Sequence, residues 1–255
     1  MSARPSPRYE EATLMSSDTA LRDKLATCTR IFAMQGMIGL FGHVSVYRPE
    51  SKRVFISPGM AGDKATTRPA DLLALDLTGR VLEGEGNLPI EWPIHTALHA
   101  ARADALAVAH LHAPYATLFA IARREFRPVT LQAALFADGV PLYTEAQLIK
   151  TTRQAQRLGE LMAGKRASLL RGHGIVVVGR DLEEVLFASL VLEDDTRKAM
   201  QAAMLGELGF ISVEECRAFD AEVDLQRRSH RAWNYFARLE ARWDRQPATG
   251  AVPFA

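Results

Sequence analysis

"LAVAHLHAPYATLFAIARR", residues 106–124, is the stretch on which the reading of this chain turns. Residues 106–112 are apolar except for two histidines, and Pro114 follows where a helix would open. A strand ending at its polar residues, with a helix directly behind it, is the junction at which open α/β sheets tend to carry their sites. Successive strand side chains alternate faces, so His110 and His112 point the same way with Cα atoms roughly 6.5 Å apart. On a helix the same spacing would splay them. Two imidazoles one pleat apart can converge on one cation at ~2.0 to 2.1 Å. The competing reading is two unrelated core histidines, each satisfied by a backbone carbonyl.

On either side of this junction, periodicity assigns the other elements. Residues 18–37 place Leu21, Leu25, Cys28 and Phe32 at helical spacing behind Asp18, a suitable N-cap. "GHVSVYR" (42–48) and "RVFIS" (53–57) read as a hairpin, and "LALDL" (73–77) with "RVLE" (80–83) as another, turning at Thr78 and Gly79. Pro93 opens a helix over 93–105, and residues 129–143 read as a strand region. Residues 151–164 read as a helix and "IVVVG" (175–179) as a central strand, with helical stretches over 181–205 and 212–243. These elements make one α/β domain over residues 18–255 with a C-terminal helical tail, preceded by a flexible arm over 1–17.

The 255 residues are 48% hydrophobic and 24% charged, the balance of an ordinary soluble protein that buries its own core. A net charge of +1 gives no electrostatic reason to expect nucleic acid or an anionic membrane as partner. Cys28 and Cys216 fit neither a disulfide framework nor a CxxC metal pair. The polar start, "MSARPSPRYEEATLMSS", has no secretory apolar segment, and the apolar stretch around the histidines carries an aspartate and a proline that a membrane span would not. A cytoplasmic protein with a small-molecule substrate is the expectation.

Two histidines need further ligands. In "RGHGIVVVG" (171–179), His173 stands between two glycines, whose missing side chains permit close approach, directly before the core strand. By itself it would be a turn histidine on the surface; with the pair it completes a set of three. Glu91, in "NLPIEWPIH" (87–95), lies just before the helix that Pro93 opens, free to serve as metal ligand or as general acid or base. Its plainer role would be to complement the helix dipole. A rival metal set is His95 and His99, spaced i, i+4, which lacks the adjacent glutamate of a helical zinc motif.

Together these segments resemble the class II aldolase/adducin family, which includes fuculose phosphate aldolase and ribulose phosphate 4-epimerase. The resemblance runs in the family's order over about residues 20–200, through "GLFGHVSVYRP", "ISPGMAGDKATTRPADLLALDLTG", "EWPIHTALHAARADALAVAHLHAPYATLFA" and "GHGIVVVGRDLEEVLFASLVLE". It implies a three-layer α/β/α sandwich around a mixed, mostly antiparallel sheet, assembled as a homotetramer with sites at subunit interfaces. It also implies one divalent metal per subunit on His110, His112 and His173, with Glu91 as catalytic acid/base. Zinc is the first expectation for that ion, with manganese, iron or cobalt as alternatives.

The departures narrow the chemistry. Where sugar-phosphate members hold phosphate with small donors, this chain has His43, then Gly59 and Met60, then Pro89 and Ile90. Pro89 lacks even an N–H, and neither Met60 nor Ile90 donates from its side chain, so an unphosphorylated substrate is expected. The "GHVSV" form resembles the family's decarboxylase branch, typified by hydroxy-methylpyridine-dicarboxylate decarboxylase. His43, Ser45 and Ser57 then become candidate substrate contacts, with His43 orienting the substrate and Trp92, Ile90 and Met60 adding an apolar wall. "VTLQAALFADG" (129–139) has no tyrosine where the aldolases carry a proton donor. In "RRSHRAWNYFARLEARW" (227–243), His230 and Tyr235 are candidate tail groups for a neighbouring subunit's site. The leading expectation is a metal-dependent carbon–carbon lyase, a decarboxylase of a small, aromatic or heteroaromatic hydroxy-carboxylate. The alternatives are an aldolase for an unphosphorylated aldol and a non-catalytic adducin-like association module.

Overall fold

The protein is described by a computed structural model covering residues 7–59 and 63–243, with side chains from residue 18 onward. Eight strands, β1 (His43–Arg48), β2 (Arg53–Ile56), β3 (Leu73–Leu75), β4 (Val81–Glu83), β5 (Ala107–Leu111), β6 (Leu142–Tyr143), β7 (Ala167–Leu170) and β8 (Gly174–Gly179), form one sheet. Their order is β4-β3-β2-β1-β5-β8-β7-β6. Neighbours pair antiparallel except β6 and β7, which run parallel, so the sheet is mixed and mostly antiparallel as expected. The helices are α1 (Pro7–Met34), α2 (Trp92–Ala101), α3 (Pro114–Ala122), α4 (Thr152–Leu161), α5 (Leu182–Ala203), α6 (Val213–Glu222) and α7 (Leu225–Glu240).

Strand parity sorts side chains between two helical layers. On β5 and β8, Ala107, Ala109, Leu111, Ile175 and Val177 join a large core with Leu25 and Phe32 of α1 and Val185 and Leu192 of α5. Their neighbours Val108, Val176 and Val178 face the other way, onto Ile94 and Leu98 of α2 and Leu158 of α4. All six residues of β8 are buried, which is why it reads as a continuous apolar run. Each buried valine or isoleucine there stabilises the fold by roughly 1.5–3 kcal/mol. On β1, Val44 and Val46 take the α1 side, leaving His43 and Ser45 on the α2 side beside His110, which is His43's register partner. The polar face is thus set by the same alternation that builds the core. No helix among the described residues is long and apolar enough to cross a membrane.

Several boundaries differ from expectation. The first helix starts at Pro7 rather than Asp18, so residues 7–17, expected as an arm, are helical, and residues 1–6 lie outside the described residues. Proline suits a first turn, and the glutamates, alanine, leucine and methionine behind it are good helix formers. Asp18 is therefore no N-cap; its carboxylate pairs with Arg48 and, at 3.8 Å, with Arg53. Of the region 129–143, only Leu142–Tyr143 is strand, while Leu131–Phe136 forms a 3-10 helix. The carboxylate of Asp195, on distant α5, accepts from the amides of Val129 (3.2 Å) and Thr130 (2.9 Å), a long-range cap invisible locally. β7 has too few residues to carry a periodic signal. The helical tail breaks between α6 and α7, where Asp224 accepts from the amides of Gln226 and Arg227 and starts a new helix.

The tightest point of the central pairing is at Gly174, where an added Cβ would lie 2.3 Å from the Leu111 carbonyl oxygen. Gly174→Ala is expected to cost roughly 1–3 kcal/mol of stability through this overlap. Thermal denaturation reads it as a lowered Tm, and an unchanged Tm would show that β5 and β8 have room to spare.

Candidate metal centre and active-site pocket

Each ligand candidate is delivered by a different piece of backbone. His110 lies within β5, and its Nδ1 donates to the Ile175 carbonyl on β8 at 3.1 Å. A carbonyl only accepts, so the ring proton is on Nδ1 and Nε2 carries the lone pair. That Nε2 is buried, has no hydrogen-bond partner among the described residues and lies 3.2 Å from Oε2 of Glu91. A buried acceptor facing a carboxylate oxygen is repulsive unless a proton or a cation stands between them. The donor set therefore fits a metal ion.

His173 sits in the β7–β8 turn. Its amide donates to the Leu170 carbonyl at 3.1 Å, and Gly172 before it has φ +64°, a left-handed conformation that favours glycine. The turn aims His173 Nε2 to 3.3 Å from the same Glu91 Oε2. His112 follows β5, its amide donating to the Met37 carbonyl at 2.9 Å and its ring stacked on Phe41 at 5.7 Å between centroids. Burial and the neighbouring His110 and His173 lower its pKa to about 3, leaving it neutral, the form that ligates. Ligand atoms of His110, His112 and His173 all lie within 4.8 Å of one another. An overlapping cluster joins His43, Glu91 and His110 within the same limit.

Glu91 occupies the N-cap position of α2 with φ −97° and ψ 24°, but its side chain caps nothing. Instead Oε1 accepts from the Ile149 amide at 2.8 Å, and Oε2 faces the imidazoles. At 5% exposure, burial pushes its carboxyl up, but a proton shared with His110 or His173 outweighs that and draws it well below the usual carboxylate range. The helix-dipole role is set aside in favour of the site.

His95 and His99 do not form the rival metal set. Both are buried and share Ser45, whose Oγ lies 2.5 Å from His95 Nδ1 and 2.8 Å from His99 Nε2. His99 Nδ1 donates to the Ala105 carbonyl at 2.6 Å, and His95 Nε2 lies 2.6 Å from His43 Nδ1. Ser45, expected to touch substrate, is thus engaged on both sides within the core. Ser57 is also withdrawn: its Oγ accepts from the Val44 amide at 3.0 Å, and it is fully buried in the sheet. Trp92 packs with Leu88 against the Val54, Ile56, Leu73 and Leu75 cluster rather than lining the pocket. Met60 lies outside the described residues. On α7, His230 pairs with Glu183 at 3.0 Å, and Tyr235 is 59% exposed; neither reaches the pocket within one chain.

The pocket itself, about 510 Å³, has His43, Glu91, His112 and His173 on its polar side. Leu40, Phe41, Leu88, Pro89, Ile90 and Leu148 supply an apolar wall. Of these, Leu148 carried no signal in sequence, because it arrives on an irregular segment beside Ile149. Gly59 joins the wall on a loop held by buried Lys64, whose Nζ donates to the Gly59 carbonyl at 2.8 Å and to that of Pro58.

Burial lowers the His99 imidazole to about 4 and that of His95 well below its ordinary value. Their folded values lie below the unfolded value of about 6.5, so as pH falls the unfolded chain takes up protons the folded one refuses. Stability is therefore full above pH ~6.5 and declines below it, by about 1.4 kcal/mol per pH unit for each such imidazole. Urea unfolding between pH 7 and 5 is expected to show this slope; a flat profile would contradict the neutral, buried histidines.

The family described as Class II Aldolase and Adducin N-terminal domain matches residues 23–199. Decarboxylase NovR of Streptomyces niveus is 29% identical over 234 residues, covering 89% of this chain and 85% of that protein. The 3,4-dihydroxyphthalate decarboxylase of Arthrobacter keyseri is 26% identical over 239 residues, covering 87% of this chain and 95% of that protein. Among solved structures, the L-fuculose 1-phosphate aldolase from Glaciozyma antarctica PI12 has a TM-score of 0.80 at 20% identity, covering 94% of each chain, and so shares the fold. With the family match spanning well over half its length, the chain belongs to the class II aldolase and adducin family.

Proposed function

We propose that this protein is a metal-dependent decarboxylase of a small, unphosphorylated, aromatic hydroxy-carboxylate. The observation that carries the reading is the pairing of three clustered imidazoles and Glu91 with a pocket whose other wall is apolar. Such a wall suits a flat ring and, Asn87 apart, offers a phosphate no side-chain donor among the described residues. The two decarboxylase relatives support the same branch of the family.

His110, His112 and His173 would hold the divalent ion, zinc first among those their nitrogens suit. Bound there, the ion supplies Lewis acidity that draws electrons from the reacting end of the substrate. The chain's own residues do the rest. Phe41, Ile90 and Leu148 hold the ring and keep bulk water from it. The bond between ring carbon and carboxylate breaks, CO2 leaves, and the electron pair stays on the carbon. Glu91, the one carboxylate lining the pocket among the described residues, rests as the carboxylate and relays a proton taken from a pocket water to that carbon, the water being replaced from solvent. Its Oε1 bond to the Ile149 amide keeps Oε2 aimed at the site throughout. The working form is a homotetramer, in which exposed Tyr235 is the tail group available to a neighbouring copy, since His230 is already paired with Glu183.

Glu91→Gln is expected to lower kcat for CO2 release from hydroxylated aromatic acids by about 10²–10⁴-fold with metal content unchanged. Chelation should abolish activity, and zinc or manganese should restore it. Headspace CO2 and carbonyl assays run side by side test the reading. Aldehyde without CO2 would replace it with an aldolase, and failure to bind any divalent ion would favour an association module.

A further inference from the structure

The buried polar chain behind the pocket has a direction. The Ala105 carbonyl can only accept, so His99 Nδ1 carries a proton and His99 Nε2 is bare. Bare, it must receive the hydroxyl proton of Ser45, 2.8 Å away. Ser45 Oγ then has only lone pairs to offer His95 Nδ1 at 2.5 Å, so His95 carries its proton there and leaves Nε2 bare. His95 Nε2 in turn accepts from His43 Nδ1 at 2.6 Å. A doubly protonated imidazole along the chain would bury a charge, and burial outweighs the attraction of Glu91 near His43 and His95.

We infer that His99, Ser45 and His95 are positioning residues that lock His43 in its Nδ1–H tautomer, so that the pocket meets a bare acceptor nitrogen and selects a ligand bearing a hydroxyl there. His43 is 6% exposed and lines the pocket, and its Nδ1 is committed to His95, so Nε2 is the atom left to meet a ligand. A phenolic O–H can donate to it; a ring lacking the hydroxyl leaves a buried acceptor unpaired. Rejection then follows from desolvation rather than from shape. The identity of the ligand as a hydroxylated aromatic acid rests on the proposed decarboxylase function, whereas the tautomer does not.

Long-range ¹H–¹⁵N spectra of metal-free, ¹⁵N-histidine-labelled full-length protein read the tautomers without substrate or turnover. His43, His95 and His99 are each expected with the proton on Nδ1 and a bare Nε2. A proton on His43 Nε2 in the wild type overturns the inference, whether or not any variant folds. In Ser45→Ala the space of one oxygen is too small for a replacement water, so His95 is expected to reverse and carry His43 to the Nε2–H form. Ser45→Thr should restore the wild-type spectrum; a His43 signal indifferent to Ser45→Ala would remove the positioning role. The probe for selection is 3,4-dihydroxybenzoate, the acid left when a dihydroxyphthalate loses one carboxyl group, titrated against benzoate in metal-loaded protein. The phenol's advantage in Kd is expected to shrink by roughly tenfold in Ser45→Ala, and an unchanged advantage would overturn the selection. Absence of CO2 release with these tautomers in place would sink the decarboxylase reading and leave this one standing.

Discussion

The hydrogen bond from His110 Nδ1 to the Ile175 carbonyl ties the chemistry of this protein to its central strand pairing. It spans β5 and β8, whose register sets His110 opposite Val176 with Ile175 opposite Leu111. Shift that register by one residue and the imidazole would turn into the α1 layer while Leu111 faced the pocket. Gly174 lets the two strands come close enough for the bond to form. The tautomer of this candidate ligand, its orientation and the packing of the core are one arrangement, with the backbone carbonyl in the place of the outer partner that a ligating imidazole needs.

Burying so many polar groups on one face of a sheet is tolerable only because backbone anchors terminate each row. The Ile149 amide ends the one that runs through Glu91, and the Ala105 carbonyl ends the one that runs from His43 through Ser45 to His99. Burial keeps His43, His95, His99 and His112 neutral, so the face carries dipoles rather than charges. The exception is Glu91, whose anion lies against two imidazoles. A cation among these groups would satisfy the orphaned His110 nitrogen and the carboxylate at once.

The fold is shared with a sugar-phosphate aldolase, and the fold alone says little about substrate. The character of this pocket is set at its rim. Pro89 and Ile90 precede Glu91, and Phe41 lies over His112, so the approach to the candidate metal centre is largely apolar among the described residues.

Much of this was legible in the chain itself, for a physical reason in each case. Alternation over residues 106–112 and the proline after it announced a strand entering a helix, and "IVVVG" announced a strand buried on both faces, because burial imposes its period on local composition. The three histidines and Glu91 were legible as candidates because each stands at or near an element's end, with a proline or glycine within a few residues. The placement of Ser57 and Trp92 away from the pocket was not legible, since a hydroxyl or an indole near a site reads the same whether it faces the ligand or the core. The link from His95 and His99 through Ser45 to His43 required knowing that β1 lies beside β5 with α2 across that face. Leu148 and Ile149 reach the site only through the path of an irregular segment. By itself the sequence determined which residue types could ligate and which elements carry them, because those depend on local period. Which hydroxyls are free, which nitrogens are bare and what lines the rim were decided by strand register and helix placement, because hydrogen-bond partners far apart along the chain meet only in the folded state.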